Sequence, residues 1–209
     1  MINCLNSNCI EEIKTNLENR NIEFEYFEDR ENLMRSIQNE ILSHETIGIG
    51  NSQTLKNLDI TNFALEMNKT VFDKSLGVNT NDIKRLKKQA LISDCYITSC
   101  NALSKSGEIV NVDHSGNRVA AITYGPERVL IIAGINKIVQ TEKEAYNRAL
   151  KVATPQNAIR AMIPSPCSTG GNCPECNQNT RVCNYISIIR GQNEKGRIKV
   201  MILNENLGY

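Results

Sequence analysis

"VLIIAG", residues 129–134, is a short, uninterrupted apolar run that is rich in β-branched side chains and ends in glycine. Residues 95–100, with the sequence CYITSC, have the same character. Runs of this length without polar alternation are typical of strands that are buried on both faces, as in a parallel sheet covered by helices. Because parallel neighbours need long crossover connections, helices are expected between the strands.

Helical and strand patterns alternate along the rest of the chain. Strands are predicted at residues 22–27, 46–50, 70–73, 95–100, 129–134, 185–190 and 197–203, the last two joined by a turn at 191–196. Helices are predicted over residues 9–20, 29–42, 83–91 and 141–152, and another begins at Thr154-Pro155. These patterns predict an α/β fold: residues 1–209 form a single-domain sandwich with a mostly parallel sheet and an antiparallel edge or end.

The composition excludes several classes of partner. The net charge is +1, aromatic residues make up 5% of the chain and tryptophan is absent, so neither a basic face nor a stacking platform for nucleic acid is expected. The longest apolar run, residues 129–135, is too short to span a membrane. The N-terminal sequence lacks a basic segment followed by an apolar core, so no signal peptide is predicted and the expected location is cytoplasmic.

Four of the eight cysteines lie within residues 166–183, PCSTGGNCPECNQNTRVC. Thiols stay reduced in the cytoplasm, so clustered cysteines favour metal or redox chemistry over structural disulfides. The two-residue spacer between Cys173 and Cys176 allows both sulfurs to bind one metal, and turn-forming residues lie beside the pair. Residues 166–184 are therefore predicted to form a metal-binding loop with the ligands Cys167, Cys173, Cys176 and Cys183.

The cysteine spacing does not select the metal. A set of four thiolates accepts either zinc or a [4Fe–4S] cluster, and the spacing matches neither a zinc ribbon nor the ferredoxin run. The alternative is a loop of reduced thiols without a metal. The other cysteines lie at helix or strand positions, where cysteine is usually a small buried apolar residue; they are Cys4, Cys9, Cys95 and Cys100.

Glycines and small polar residues follow the predicted strands, and ligands of α/β sheets gather at the ends of strands. The segments 48–54, 98–118 and 133–139 offer groups that suit a carboxylate or a phosphate. The alternatives are a helix cap at Ser52, local backbone hydrogen bonding by Asn and Asp, and a surface charge at Lys137. The candidate ligand-binding residues are Gly50, Ser52, Thr54, Asn101, Asp113, Asn117, Arg118, Asn136 and Lys137.

The basic residues of the helix at 83–91 and Arg118 are predicted to have different roles. The basic residues of the helix at 83–91 are predicted to face solvent; they are Lys84, Arg85, Lys87 and Lys88. Arg118 is predicted to bind the anion, so that Arg118→Ala should weaken ligand binding more than it lowers stability.

Several longer segments resemble those of the LUD-domain, or lactate-utilisation, proteins. They are residues 101–139, 144–160, 166–185 and 197–209. Together they cover the C-terminal half of the chain, and the glycine loop at 48–54 extends the resemblance towards the N-terminus.

The resemblance implies a fold similar to that of sugar-phosphate isomerases and CoA-transferases. In that fold the loop after the first core strand faces an anionic ligand, which favours Gly50, Ser52 and Thr54 as site residues. CoA-transferase relatives use a catalytic glutamate, for which Glu108 is the nearest candidate; no catalytic residue is assigned. Family members are associated with the oxidation of lactate to pyruvate in a complex with iron–sulfur subunits. This chain lacks their ferredoxin-type cysteine run and carries its own cluster at 167–183.

Two functional hypotheses follow. The first is a redox or electron-transfer protein of the lactate-utilisation type, which binds an iron–sulfur cluster beside an anion-binding cleft and has redox proteins as partners. The second is a small-molecule-binding module in which a structural zinc crosslinks the loop and does no chemistry. In both, the ligand is a small anionic metabolite, and no nucleic-acid or membrane partner is expected.

Overall fold

Helices and strands alternate along the chain, as the sequence predicts. The computed structural model describes residues 7–170, 176 and 179–209. The strands are β1 Ile22–Phe27, β2 Thr46–Ile49, β3 Thr70–Asp73, β4 Cys95–Thr98, β5 Ala102–Ser104, β6 Ile109–Asp113, β7 Arg128–Gly134, β8 Ile138–Val139, β9 Tyr185–Ile189 and β10 Ile198–Leu203. The α-helices are α1 Ser7–Glu18, α2 Arg30–Leu42, α3 Gln53–Asn57, α4 Ile60–Glu66, α5 Thr80–Ala90, α6 Asn117–Tyr124, α7 Glu142–Arg148 and α8 Thr154–Arg160.

The strands form two sheets. The larger has six parallel strands in the order β1-β10-β7-β4-β2-β3. The smaller has the order β8-β5-β6-β9, in which β6 is antiparallel to both of its neighbours. The predicted α/β fold with a mostly parallel sheet in a single domain is therefore confirmed.

The last two strands do not lie side by side, although only the turn at 191–196 separates them. All six residues of β10 are buried, and the strand lies between β1 and β7 in the large sheet. Strand β9 is only partly buried and pairs with β6 in the small sheet. A strand that is apolar on both faces is stable only inside a sheet covered on both sides. This explains why β10 does not pair with β9, the strand that precedes it in the chain.

Strand β7 shows how the large sheet is covered on both faces. Ile131 belongs to the same core cluster as residues of α1 and α6, whereas Leu130 and Ile132 belong to a second cluster with residues of α2 and α4. Successive side chains of a strand point to opposite faces, so an uninterrupted apolar run fits only this three-layer arrangement. No helix in the described ranges is long and apolar enough to cross a membrane.

Side-chain caps mark the starts of two predicted helices, whereas a third helix begins without one. Asp29 accepts a hydrogen bond from the Asn32 amide at 2.8 Å, and Thr141 accepts one from the Glu144 amide at 3.2 Å. α8 begins at Thr154, as predicted, but Thr154 does not cap it and the helix continues α7. A π-helical segment at 149–153 joins α7 to α8, and the Thr154 hydroxyl donates to the Ala149 carbonyl at 2.8 Å. The wider π turn accommodates the following proline, which lacks an N–H.

Candidate functional site

A cleft of about 150 Å³ lies at the carboxyl edge of the large sheet. The segments that follow β2, β4 and β7 line it, together with the end of β6 and the start of α6. The loops of a parallel α/β sheet converge at this edge, which is why ligands bind there. The cleft brings together these predicted ligand-binding residues: Ser52, Thr54, Asn101, Asp113, Asn117, Arg118 and Lys137.

Lys137 is a buried residue of the cleft and not a surface charge, with an exposed fraction of 4%. Its Nζ donates to the hydroxyls of Thr54 and Ser99, both at 2.8 Å, and to the Cys100 carbonyl oxygen at 3.1 Å. None of the described carboxylates forms an ion pair with it. Burial lowers the pKa of Lys137 to about 8, because the charged form loses its hydration.

Three lining residues that the sequence patterns do not single out are Asn51, Lys74 and Arg160. With its amide oxygen turned towards the two cations, Asn51 accepts hydrogen bonds from Arg160 Nη2 at 3.0 Å and from Lys74 Nζ at 3.2 Å. Burial, and then the charges of Lys87 and Arg160, lower the pKa of Lys74. The fold therefore holds several cations together against their mutual repulsion.

The side chain of Arg160 retains an unused donor. Its Nη2 also donates to Asn157 Oδ1 at 2.7 Å. Its Nε is buried and has no hydrogen-bond partner among the residues that the structure describes. A buried donor without an acceptor is costly, so a guanidinium with an unused N–H group, on a residue that lines the cleft, is suited to an anionic ligand.

Lys87 also lines the cleft, although the sequence predicts that it faces solvent with the other basic residues of α5. It is partly buried, and its Nζ donates to the Ser115 hydroxyl at 3.2 Å. Lys84, Arg85 and Lys88 are exposed, as predicted. The difference arises because α5 packs beside α6, so one side of its polar face meets the loop that precedes α6.

The glycine loop after β2 has mixed roles. Gly50 does not line the cleft. A Cβ at this position would lie 2.4 Å from Thr98 Oγ1, so glycine is needed for the close approach of β2 and β4. Ser52 caps α3 by accepting a hydrogen bond from the Thr54 amide at 3.1 Å, which is the alternative role considered for it.

Asn136 holds residues 207–209 in place and does not line the cleft itself. Its Oδ1 accepts from the Leu207 amide at 3.1 Å. Gly208 and Tyr209 consequently form part of the cleft wall. Gly208 has a φ of +65° and lies so close to Thr54 that a Cβ would be 2.7 Å from Thr54 Oγ1. No local pattern in the sequence marks this wall, because it depends on a contact between distant parts of the chain.

Asp113 and Asn117 make local hydrogen bonds at the start of α6. Asp113 accepts from the backbone amides of His114 at 3.0 Å and of Arg118 at 2.8 Å. Asn117 Oδ1 accepts from the Ser115 hydroxyl at 2.8 Å. Both residues line the cleft, but their side-chain oxygen atoms accept hydrogen bonds from nearby residues of the same loop. This is the alternative considered for Asn and Asp in turns.

The guanidinium of Arg118 connects the two sheets. It donates to the Ser99 carbonyl at 3.0 Å, to Asn101 Oδ1 at 2.8 Å and to the Val112 carbonyl at 2.6 Å. These bonds join the segment after β4 to β6. Arg118 therefore stabilises the wall of the cleft in addition to contributing charge.

We expect Arg118→Ala to lower the free energy of unfolding by about 2–3 kcal/mol, because buried acceptors lose their donor. Arg118→Lys should recover only part of this, since an ammonium lacks the fork that reaches several acceptors. Urea denaturation measures both, with Arg85→Ala on the exposed face of α5 as the control. Unchanged stability with weakened ligand binding would instead support the role predicted from the sequence.

Cys167, Cys176 and Cys183 line a second cavity of about 20 Å³. This cavity adjoins the cleft, because Thr154 and Val182 line both. The fold thus gathers thiols from both sides of the predicted metal-binding loop.

The fourth predicted ligand, Cys173, lies outside the described residues. Ser165 Oγ is 3.3 Å from Cys167 Sγ, so one thiol has a hydroxyl partner. Within residues 7–170, 176 and 179–209, no group of three or more His, Cys, Asp or Glu side chains has the arrangement of a metal site. Metal binding by this loop therefore stays a prediction.

Three of the remaining cysteines are buried, as predicted: Cys9, Cys95 and Cys100. Cys4 lies outside the described residues. Burial raises the pKa of Cys95 to about 12 and also raises that of Cys100. These two thiols therefore stay protonated and unreactive at neutral pH.

Glu108, the nearest candidate for a catalytic glutamate, does not line the cleft. Its carboxylate accepts hydrogen bonds from Ser104 and Ser106 and pairs with Arg20 at 2.8 Å. Although burial alone would raise the pKa of Glu108, these partners lower it. The carboxylate is thus an ionised structural group that ties the segment after α1 to the small sheet.

Comparisons with known proteins agree with this architecture. A crystal structure of a DUF162 family protein from Deinococcus radiodurans, at 1.70 Å resolution, is similar with a TM-score of 0.51 and 13% sequence identity. The match covers 96% of this chain and 98% of that chain, and at this identity it shows the fold alone. No curated protein matches the chain. The family model of the LUD domain matches residues 10–203, which include both sheets and most of the cleft, so the chain belongs to the LUD domain family.

Proposed function

We propose that the cleft binds a small metabolite that carries a carboxylate or a phosphate group, in a role related to lactate utilisation. The membership of the LUD domain family supports that role. The observation that carries the proposal is that Arg160, whose buried Nε–H group has no acceptor among the described residues, lines the cleft together with four other cationic side chains.

The charge balance of the cleft supports an anionic ligand. Among the described lining residues, Asp113 has the one acidic side chain, and backbone amides occupy its oxygen atoms. Each charge-assisted hydrogen bond to a bound anion contributes about 1.5–3 kcal/mol. The cationic side chains that line the cleft are Lys74, Lys87, Arg118, Lys137 and Arg160.

The size of the cleft favours a small ligand. A cavity of about 150 Å³ holds roughly ten water-sized groups, at about 10–15 Å³ for each. This volume suits a short-chain carboxylic acid or a small phosphorylated compound.

Calorimetric titration with inorganic phosphate and with short carboxylic acids tests the proposal. We expect saturable binding whose affinity falls as ionic strength rises, because salt screens the partly exposed cations. The absence of saturable binding by every small anion at low ionic strength would refute the proposal.

We further propose that Cys167, Cys173, Cys176 and Cys183 bind a metal beside the cleft. The three described thiols line one cavity, and thiolates are ligands that both zinc and a [4Fe–4S] cluster accept. A cluster supplies one-electron transfer, and the association of the family with lactate oxidation favours it, with redox proteins as partners. A zinc ion with four thiolates has no open position and is structural, which is the alternative.

Metal content separates the two forms of this proposal. Protein purified without oxygen should contain iron and sulfide and absorb visible light if it holds a cluster. Stoichiometric zinc in a colourless protein would contradict the redox role and support the structural one. Absence of both metals would contradict the proposed site.

Substitution of the ligands should show which thiols bind the metal. We expect Cys173→Ser and Cys183→Ser to remove most of the bound metal and make residues 166–184 sensitive to protease, because metal binding contributes to the folding of the loop. Cys95→Ser is the control and should retain the metal, since Cys95 is buried in β4. Equal metal loss in all three variants would mean that the ligand set is wrong.

A further inference from the structure

The amine of Lys137 is placed as a reactive group and not only as a charge. Its Nζ and the hydroxyl oxygen atoms of Thr54 and Ser99 form a triangle with sides of 2.8, 2.8 and 3.4 Å. A hydroxyl group can accept a hydrogen bond from an ammonium or donate one to a neutral amine. The two hydroxyls can therefore stay hydrogen-bonded to Lys137 in both its charged and its neutral form.

The other cations of the cleft differ from Lys137 in this respect. The guanidinium groups of Arg118 and Arg160 stay charged at all ordinary pH values. Lys74 and Lys87 are less buried than Lys137. Their amines donate to Asn51 and to Ser115, respectively, and not to a pair of hydroxyls. The cleft thus combines permanent cations, which bind an anion, with one enclosed amine beside two hydroxyls.

We propose that Lys137 condenses with the carbonyl carbon of a small anionic aldehyde or ketone, which the other cations of the cleft hold in place. This inference rests on the proposed binding of anions and narrows the ligand class to carbonyl compounds. A carbonyl group next to a carboxylate, as in a 2-oxo acid, combines both recognition elements in one small molecule.

The chemistry balances without an oxidant or a reductant. The Nζ lone pair forms a bond to the carbonyl carbon while the carbonyl π bond opens and its oxygen takes up a proton. The resulting carbinolamine loses that hydroxyl group, together with a proton, as water. A carbon–nitrogen double bond remains, and one water is released for each imine formed.

The neutral amine that the first step requires is accessible near physiological pH. Burial lowers the pKa of Lys137 to about 8. Of the other titratable groups that act on it, Cys100 raises the pKa, whereas Arg148 and Arg118 lower it further. A fraction of the side chain is therefore a free amine at pH 7, whereas an exposed lysine is almost entirely protonated.

Reductive trapping tests the inference on the full chain. The protein is incubated with pyruvate and cyanoborohydride, digested and mapped by mass spectrometry. We expect the Lys137 peptide to gain the mass of one pyruvic acid molecule less one oxygen atom, earlier than peptides with the exposed Lys84 and Lys88. The labelling rate should rise with pH and level off above about 8. Acetone, which has the carbonyl group but no charge, should label Lys137 much less.

Further measurements distinguish the possible failures. Excess phosphate should protect Lys137, and Lys137→Arg, which keeps the charge but not the amine, should lose the label. Labelling that is spread evenly over surface lysines would overturn the inference, and this result needs no variant to be folded. Phosphate binding without selective labelling would refute the role of the amine and leave the proposed function intact. Loss of both would refute the proposed function itself.

Discussion

The double substitution Lys74→Met and Arg160→Gln should remove measurable phosphate binding from the cleft while the protein stays folded. Each cation offers a charge-assisted hydrogen bond of about 1.5–3 kcal/mol to the ligand. The two together account for about 3–6 kcal/mol, which weakens binding on the order of 10²–10⁴-fold. Calorimetric titration with phosphate at low ionic strength measures the change.

The stability of this variant should not fall with its affinity. The pKa of Lys74 is lowered by burial and then by the charges of Lys87 and Arg160. The positive charge of Lys74 is therefore unfavourable in the ligand-free fold. Removing the cations Lys74 and Arg160 relieves repulsion and an unpartnered buried N–H group. The variant should therefore unfold at the same or a higher urea concentration than the unmodified protein.

A matched control separates the local effect from a change of overall charge. Lys84→Met and Arg85→Gln remove the same two charges from the exposed face of α5, away from the cleft. This control should keep most of the phosphate affinity, because exposed charges at a distance are screened. Equal loss of binding in both double variants would mean that phosphate responds to net charge and not to the cleft.

The large sheet is predictable from the sequence because its signals are local. An apolar run such as 129–134 can be stable only when both of its faces are covered, and this condition dictates a parallel sheet between helices. Strands β1 and β3 are predicted with their observed bounds for a related reason, since turn residues or helix signals stand on both sides of each run.

The small sheet is less predictable because its pairing is not local. Strand β5 has three residues, and β9 pairs with β6 across about seventy intervening residues, among them the cysteine loop. A half-buried strand such as β9 carries no signal that selects its partner. The turn at 191–196 suggests that β9 and β10 are neighbours, but burial of both faces of β10 overrides that suggestion.

The difference between local and non-local signals also explains which residues of the candidate site are predictable. Thr54, in the first turn of α3, and Lys137 lie shortly after the ends of β2 and β7, so the convergence of strand ends predicts that they meet at one edge of the sheet. Lys87 and Arg160 lie on helices, and only the packing of those helices decides which side chains face the cleft. The sequence also cannot show that Lys137 is buried, which is the property on which its proposed reactivity depends.

Glu40→Ala should lower the free energy of unfolding by about 3 kcal/mol, a large effect for a residue far from the cleft. Glu40 in α2 accepts hydrogen bonds from Arg128 at 2.6 and 3.0 Å and from Lys199 at 3.2 Å. The exposed fractions of these three side chains are 14%, 15% and 10%. Each cation keeps one further partner, Glu23 or Glu25, so the loss is partial. Urea denaturation near pH 7 measures the difference.

The control lies on the same helix. Glu31 pairs with Arg35 at 2.8 Å, but its side chain is 83% exposed. Exposed pairs four residues apart contribute about 0.3–0.5 kcal/mol, so Glu31→Ala should change stability little. If both substitutions had equal and small effects, the Glu40 network would not be what holds α2 against β7 and β10.

The dependence of stability on pH tests the same network independently. Burial alone would raise the pKa of Glu40, but the hydrogen bonds and charges of Arg128 and Lys199 lower it from its usual 4.5. The stabilisation by Glu40 is therefore complete above the unfolded pKa of 4.5 and is lost as the pH falls through the lower pKa of the folded state. Between these two values the unfolded chain binds the additional proton, so the free energy of unfolding rises with pH. In Glu40→Gln, which cannot ionise, this rise should be reduced, whereas an unchanged slope would assign the acid sensitivity to other carboxylates.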